Sequence, residues 1–342
     1  MTDTSLVLVA NAGDGSISTF RFEGGQLERL AVTDGLSGCS TFAVDAERNL
    51  VYAGVKGEPA GILTLFLDRM SGQLTPQSRL DLPDGGMNYL ALTPDGTGLL
   101  GASYGGGYGI SCPVADGVVG APLSKIEFPN LHSVRASADG RFAYFASLGA
   151  DLVAQYALDA ELRLVPLGSE TVAAPAGSGP RHLVLNETQD AVYVLTEFSG
   201  EVLHYSRDTT TGELALRDAA TAYDAAKDLG HSVFGADPLA NHYIWGADLH
   251  LSADGKRLWA SERTESTLGA VRVADDGSVS APERFTVTET QPRGFAVSPD
   301  GAHLVAAGEK STTVSLYAVH DDELELLQRA ETGHGANWVR FV

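Results

Sequence analysis

One unit recurs along this chain, and a repeat of that length restricts the fold more than any single motif does. Its clearest copies begin "NYLALTPDGTGLLGASY" at Asn88, "HSVRASADGRFAYFASL" at His132, "RHLVLNETQDAVYVLTEF" at Arg181, "LHLSADGKRLWASER" at Leu249 and "RGFAVSPDGAHLVAAGEK" at Arg293. A weaker copy, "TFAVDAERNLVYAGVK", begins at Thr41. In each, a short alternating run meets a turn such as Pro94-Asp95-Gly96, Asp139-Gly140 or Pro299-Asp300-Gly301, and a second alternating run follows. That pattern predicts two antiparallel strands joined by a tight turn. A third run, a further turn as in "SRDTTTGELALRD", and a fourth run complete a four-stranded meander.

The anchors lie 47, 44, 49, 68 and 44 residues apart, a spacing suited to propeller blades except at the 68. The excess falls in "AYDAAKDLGHSVFGADPLANHYIWGAD", residues 222 to 248, and a loop that long in a compact domain is expected to be functional or mobile. The N-terminal copy, "SLVLVANAGDGSISTFRFEGGQLERLAV", lacks a first strand, while the chain ends on an orphan first strand, "NWVRFV", from Asn337 to Val342. Pairing the two removes the open edges of the array. The expectation is an all-β fold: one domain over residues 1–342, a seven-bladed β-propeller closed by its C-terminal strand against the N-terminal blade.

With 23 basic and 44 acidic side chains, the formal net charge is −21. Such a surface repels nucleic acid and anionic lipid, so neither is an expected partner, and the basic groups that would hold an anion must be locally concentrated. No apolar run reaches the length of a membrane span, and the opening "MTDTSLVLVANAGDG" has no basic n-region, which points to a cytoplasmic protein. Cys39 and Cys112 form no disulfide framework and are expected as idle thiols. The expected assembly is a monomer or a weak homo-oligomer.

In a propeller blade the first strand lies innermost and the second runs back beside it. Starts of first strands and ends of second strands therefore share one face, around one mouth of the central channel. At first-strand starts stand Asn88, His132, Arg181, His250, Arg293 and, in the tail, Asn337; at second-strand ends stand Asn11, Lys56, Tyr104, Glu197, Glu262 with Arg263, and Glu309 with Lys310. One histidine, three arginines and a glutamate at equivalent places in an acidic protein predict a site. Plainer roles are expected for others. Asn11, Lys56 and Asn88 read as solvated loop residues, Glu262 as a partner of Arg263, and Trp245 as a lid or packing aromatic. His182 should point away from the channel if Arg181 points in, because neighbours on a strand face opposite ways.

Further motifs are weak. "SYGGGYG", residues 103 to 109, lacks the spacing of a phosphate loop, and no G-x-S-x-G elbow occurs. No metal-binding spacing joins His132, His250 and Glu197, so neither a metal nor another cofactor is expected.

"GSGPRHLVL", "EFSGEVLHY", "WGADLHLSADGKRLWASERT", "TETQPRGFAVSPDGAHLVAAGEKS" and "GANWVRFV" resemble the lactonase family of seven-bladed propellers. That family includes bacterial 6-phosphogluconolactonase of the cycloisomerase type and fungal carboxy-cis,cis-muconate cyclase. The resemblance covers essentially the whole chain. It implies a cytoplasmic hydrolase of carbohydrate metabolism, in the pentose phosphate pathway, acting on a small anionic lactone. It also implies catalytic roles for His132, Arg181, Glu197 and Arg263; from the ring of strand ends, Arg293, His250, Lys310 and Asn337 are expected to bind the substrate.

Opening an aldonolactone requires an activated water, stabilisation of an oxyanion and a proton for the departing alkoxide. Glu197 or His132 can serve as base, and Arg181, Arg263 and Arg293 can hold a carboxylate or phosphate, or the oxyanion. The same set suits a muconate cycloisomerase, in which a carboxylate adds to an alkene. A third reading is a non-catalytic binding platform, since a propeller alone is no warrant for catalysis.

Overall fold

The computed structural model describes residues 5–342, and these build seven antiparallel sheets arranged as blades. Blade 4 shows the plan, with strands Pro180–Leu185, Ala191–Thr196, Glu201–Arg207 and Leu214–Thr221 hydrogen-bonded in sequence order. Blades 1, 3 and 6 repeat it from Thr41, Leu131 and Pro292, while in blades 2 and 5 the outermost strand is split into two short pieces. Blade 7 is composite: Ala336–Phe341 pairs antiparallel with Ser5–Asn11, with Ser16–Glu23 and Gln26–Thr33 outside them. The predicted closure is therefore present in the hydrogen bonding, and it leaves the ring without an open seam.

Local chemistry explains the regular turns between first and second strands. In four blades the turn reads Ser or Thr, any residue, Asp, Gly. The hydroxyls of Thr93, Ser137, Ser252 and Ser298 donate to Asp95, Asp139, Asp254 and Asp300 at 2.7, 2.6, 2.6 and 2.5 Å. The following glycine takes a left-handed conformation, with φ of 67° at Gly96 and 71° at Gly140, which a side chain would disfavour.

Burial falls from the axis outward. The second strand of blade 4 is buried throughout, whereas the outermost strand of blade 6, Glu323–Glu331, alternates between exposed and half-buried residues. Apolar layers lie between blades, as where Val192, Val194, Leu203 and Tyr205 pack on Phe142, Tyr144 and Val153 of blade 3. Burying such side chains contributes roughly 1.5–3 kcal/mol each, against the entropy of ordering the chain.

The long connection before blade 5 is ordered and compact. It holds a single 3-10 turn, Ala225–Lys227, and a short helix, Pro238–Asn241, capped by Asp224 and Asp237. Ser232 N–H donates to the Phe198 carbonyl at 3.0 Å, tying the loop to the end of the blade 4 second strand. The extra length thus delivers Trp245 to the channel mouth.

Candidate active site at the channel mouth

A β-bulge sits near the start of the innermost strand in four blades, and each adds one residue. Leu131 and Ser133 pair with Ser147 and Ala146, leaving His132 as the extra residue. In the same way Arg181 is extra between Pro180 and His182, Arg293 between Pro292 and Gly294, and Asn337 between Ala336 and Trp338. A bulge bends its strand and re-aims the side chain it carries. Blade 5 has a wider irregularity at Ala247 and Asp248. Gly294 has no room for a side chain, because the Asn337 carbonyl of the next blade occupies the place where its Cβ would lie.

The bulged residues converge. His132, Arg181, Arg293 and Asn337 line one small, tight cavity with Ser40, Asn88, His182 and Trp338. Glu197 and Arg263 stand behind Arg181. The Arg181 Nε donates to Glu197 Oε2 at 2.7 Å, and Arg263 Nη2 lies 3.0 Å from the same oxygen. The other oxygen, Oε1, accepts from the Trp245 indole at 3.3 Å. Arg263 also lies over the Trp245 ring at 3.9 Å and donates to the Gly246 carbonyl at 3.0 Å. On blade 6, Arg293 Nη1 donates to Glu309 Oε1 at 2.7 Å.

Behind the cavity wall runs a second chain of contacts. Arg181 Nη1 donates to the Ala247 carbonyl and lies 3.2 Å from His182 Nε2, while His182 Nδ1 lies 2.6 Å from Asp248 Oδ1. Asp248, buried at 2 % exposure, also accepts from the backbone N–H groups of Leu249 at 2.9 Å and Phe295 at 3.2 Å, and its Oδ2 lies 3.1 Å from His250 Nε2. One carboxylate therefore ties blades 4, 5 and 6 together.

Ionisation follows from these neighbours. Burial alone would raise the Glu197 carboxyl, but Arg263, Arg181 and Arg293 hold it below the ordinary value, so it is an anion with both oxygens engaged. Burial, then the Arg181 charge, pushes His132 well below the ordinary imidazole value, so its ring is neutral at pH 7. His182 falls to about 3 through burial and Arg181, against the opposing pull of Asp248. Arg181 is lowered to about 9 by burial and Arg263 and remains a cation at neutral pH.

The structure sorts the residues expected from the sequence. It gathers His132, Arg181, Arg293 and Asn337 on the cavity and sets Glu197 and Arg263 directly behind. His250 lies elsewhere. Its strand begins at Gly246 rather than at Leu249, so His250 sits farther along the channel, with its ring 4.7 Å from Phe295. Lys310 is exposed outside the cavity, with its backbone N–H bonded to the Thr290 carbonyl.

Several plainer expectations also change. His182 faces the cavity because the bulge at Arg181 breaks the alternation that would have turned it away. Asn11 is fully buried and donates to Ser16 and Ser18 instead of meeting solvent. Asn88 lines the cavity. Glu262 does not serve Arg263; it accepts the N–H groups of Trp245, Thr264 and Glu265 at 2.9, 2.9 and 2.8 Å and so fixes the turn carrying both Trp245 and Arg263. Asp248 and Ser40 escaped the sequence reading. For Asp248 the available signal was an acid within the inward run "GADLHL"; for Ser40 there was none.

Comparison with known proteins places this arrangement. The chain is 30 % identical to a 6-phosphogluconolactonase of Pectobacterium carotovorum, over 93 % of this chain and 92 % of the relative. It is 28 % identical to one of Cronobacter sakazakii, over 97 % of each. A periplasmic gluconolactonase of Pseudomonas aeruginosa superposes with a TM-score of 0.86, at 25 % identity and 99 % coverage of both chains. The family description "Lactonase, 7-bladed beta-propeller" matches residues 6–341, and this chain belongs to that family.

Proposed function

We propose that this protein hydrolyses a sugar-acid lactone, a 6-phosphogluconolactone or related aldonolactone, at the channel mouth. The observation that carries this reading is a neutral, buried histidine on the same small cavity as two arginines. Both oxygens of Glu197 are taken by Arg181, Arg263 and Trp245, so His132 is the better base. Its Nδ1 has no hydrogen-bond partner among the described residues. His132 takes a proton from water as the oxygen attacks the lactone carbonyl carbon. Arg181, with Nε and Nη1 committed to protein acceptors, offers Nη2 to the developing oxyanion. The bond from carbonyl carbon to ring oxygen then breaks, and the imidazolium returns its proton to the departing alkoxide. Glu197 holds the two guanidiniums in place.

Arg293 is the natural partner for a substrate anion, being partly exposed with only Nη1 tied to Glu309. The ammonium of Lys56 feels both Arg293 and Glu309, which adds positive charge on that side. A phosphorylated aldonolactone fits this end, and the relatives named as 6-phosphogluconolactonases support it; such a substrate would place the reaction in the pentose phosphate pathway. The test is acid release in a pH-stat from 6-phosphogluconolactone, gluconolactone and a carboxymuconolactone, corrected for spontaneous hydrolysis. Preference for the phosphorylated sugar lactone supports the assignment, and turnover of the muconolactone alone refutes it.

A further inference from the structure

The cavity has two unlike sides. Arg181 and Arg293 come from blades 4 and 6, and His132 from blade 3. The remaining arc, from blades 7, 1 and 2, lines the cavity with neutral groups, Asn337, Ser40 and Asn88 beside Trp338; Lys56 of blade 1 is not among the lining residues. Three of its lining residues each bury a polar atom that has no hydrogen-bond partner among the described residues: Ser40 Oγ, His132 Nδ1 and Asn337 Oδ1. Ser40, His132 and Asn337 are 8, 4 and 4 % exposed, so bulk solvent scarcely reaches them. Buried polar groups left unpaired are uncommon, and their convergence on one cavity points to a ligand that completes them.

The neighbours of Asn88 fix its orientation. Its Oδ1 accepts the Tyr104 N–H at 3.0 Å, which leaves the Nδ2 donors for the cavity. The arc thus presents donors from Asn88, an acceptor at Asn337 Oδ1 and a hydroxyl at Ser40 that can do either. A hydroxyl group both donates and accepts, and it satisfies such a mixed set. A carboxylate only accepts, and it would meet Asn337 Oδ1 acceptor to acceptor. From this we infer that Ser40, Asn88 and Asn337 form a hydroxyl-reading wall that selects polyhydroxylated substrates, while the arginine side takes the reacting carboxyl group. The inference deepens the lactonase reading and names what that site discriminates.

The test separates the wall from the catalysis by measuring equilibrium binding of two open-chain acids. Gluconate and hexanoate share a carboxylate and a chain length, and gluconate adds five hydroxyls. By calorimetry or ligand-observed NMR at pH 7, the wild-type protein should bind gluconate about tenfold or more tightly than hexanoate. Ser40→Ala and Asn88→Asp should each shrink that ratio by roughly 3- to 10-fold. The ratio is the readout because any added charge or loss of packing acts on both acids. Asn88→Asp keeps the acceptor for the Tyr104 N–H, and Ser40→Ala removes one oxygen, so both should keep the wild-type circular dichroism. Equal binding of the two acids by the wild type would mean that the wall holds only water, and an unchanged ratio in both variants would assign selectivity elsewhere; either result overturns the inference. Selective gluconate binding by a protein that opens no lactone would leave the wall standing and remove the hydrolase reading.

Discussion

The Nδ1 of His182 lies 2.6 Å from Oδ1 of Asp248, deep behind the cavity wall. With Nδ1–H donated to that carboxylate, Nε2 is left to accept from Arg181 Nη1, 3.2 Å away. The carboxylate thereby fixes the tautomer that holds the arginine, although it touches no part of the cavity.

Asp248→Asn is therefore expected to act through Arg181. It keeps the side-chain size but replaces one acceptor oxygen by a donor, and each oxygen serves two of the four contacts, so two of them are disturbed. The variant should lower kcat by roughly 10- to 100-fold, with a stability loss of about 1–3 kcal/mol. Steady-state kinetics beside a urea titration would check this. An intact kcat with the same stability loss would make Asp248 a structural strut only.

Glu197→Gln separates clamp from base. The amide can still accept from one arginine, but the charge that holds both guanidiniums is gone. If His132 is the base, Glu197→Gln should cost less in kcat than His132→Asn. A larger loss from Glu197→Gln, with the fold intact, would return the role of base to the glutamate.

Acid should destabilise the protein from an unusually high pH. His182 has a folded-state value of about 3, and His132 is also pushed down, against roughly 6.5 in an unfolded chain. A group whose folded value is depressed binds its proton first in the unfolded state. The stability gained by keeping these rings neutral is whole above about pH 6.5 and is lost as the pH falls from there towards 3. Urea midpoints measured from pH 8 to pH 4 should begin to fall near pH 6.5, and His182→Gln should flatten that early limb. A wild-type midpoint constant down to pH 5 would contradict the buried neutral imidazoles.

Removal of Asn337 to Val342 takes away most of the inner strand of blade 7 together with the Asn337 side of the cavity. The edge of Ser5–Asn11 and the apolar layer around Val7, Val9 and Val305, against which Val339 packs, would be uncovered. Loss of cooperative unfolding, or aggregation seen by size-exclusion chromatography, is the expected result. A monomeric truncated chain with an unchanged melting temperature would contradict closure through this strand.

Seven blades and the composite seam were legible because each copy carries its own turn chemistry, and because the first copy lacks the strand that the tail supplies. The ring of His132, Arg181, Glu197 and Arg293 was legible for the same reason, since topology alone puts those positions at one mouth. What stayed hidden was the bulge. In "PRHLVL" nothing in the alternation shows that Arg181 is an extra residue, and without that knowledge His182 points the wrong way. His250 was misplaced by counting its strand from Leu249 instead of Gly246. Ser40 and Asn88 are small polar residues just ahead of strands, where solvent is the ordinary neighbour; only the closed ring shows that a cavity meets them instead.

The central claim is that His132 at this cavity activates water against a lactone without help from a metal. Its most direct test compares wild type and His132→Asn, both treated with EDTA, in 6-phosphogluconolactone hydrolysis followed by pH-stat with the spontaneous rate subtracted. The account predicts full wild-type turnover after chelation and a kcat lowered by roughly 10²- to 10⁴-fold in the folded variant. Near-normal turnover by His132→Asn, or wild-type activity abolished by EDTA and restored by one added cation, would contradict it.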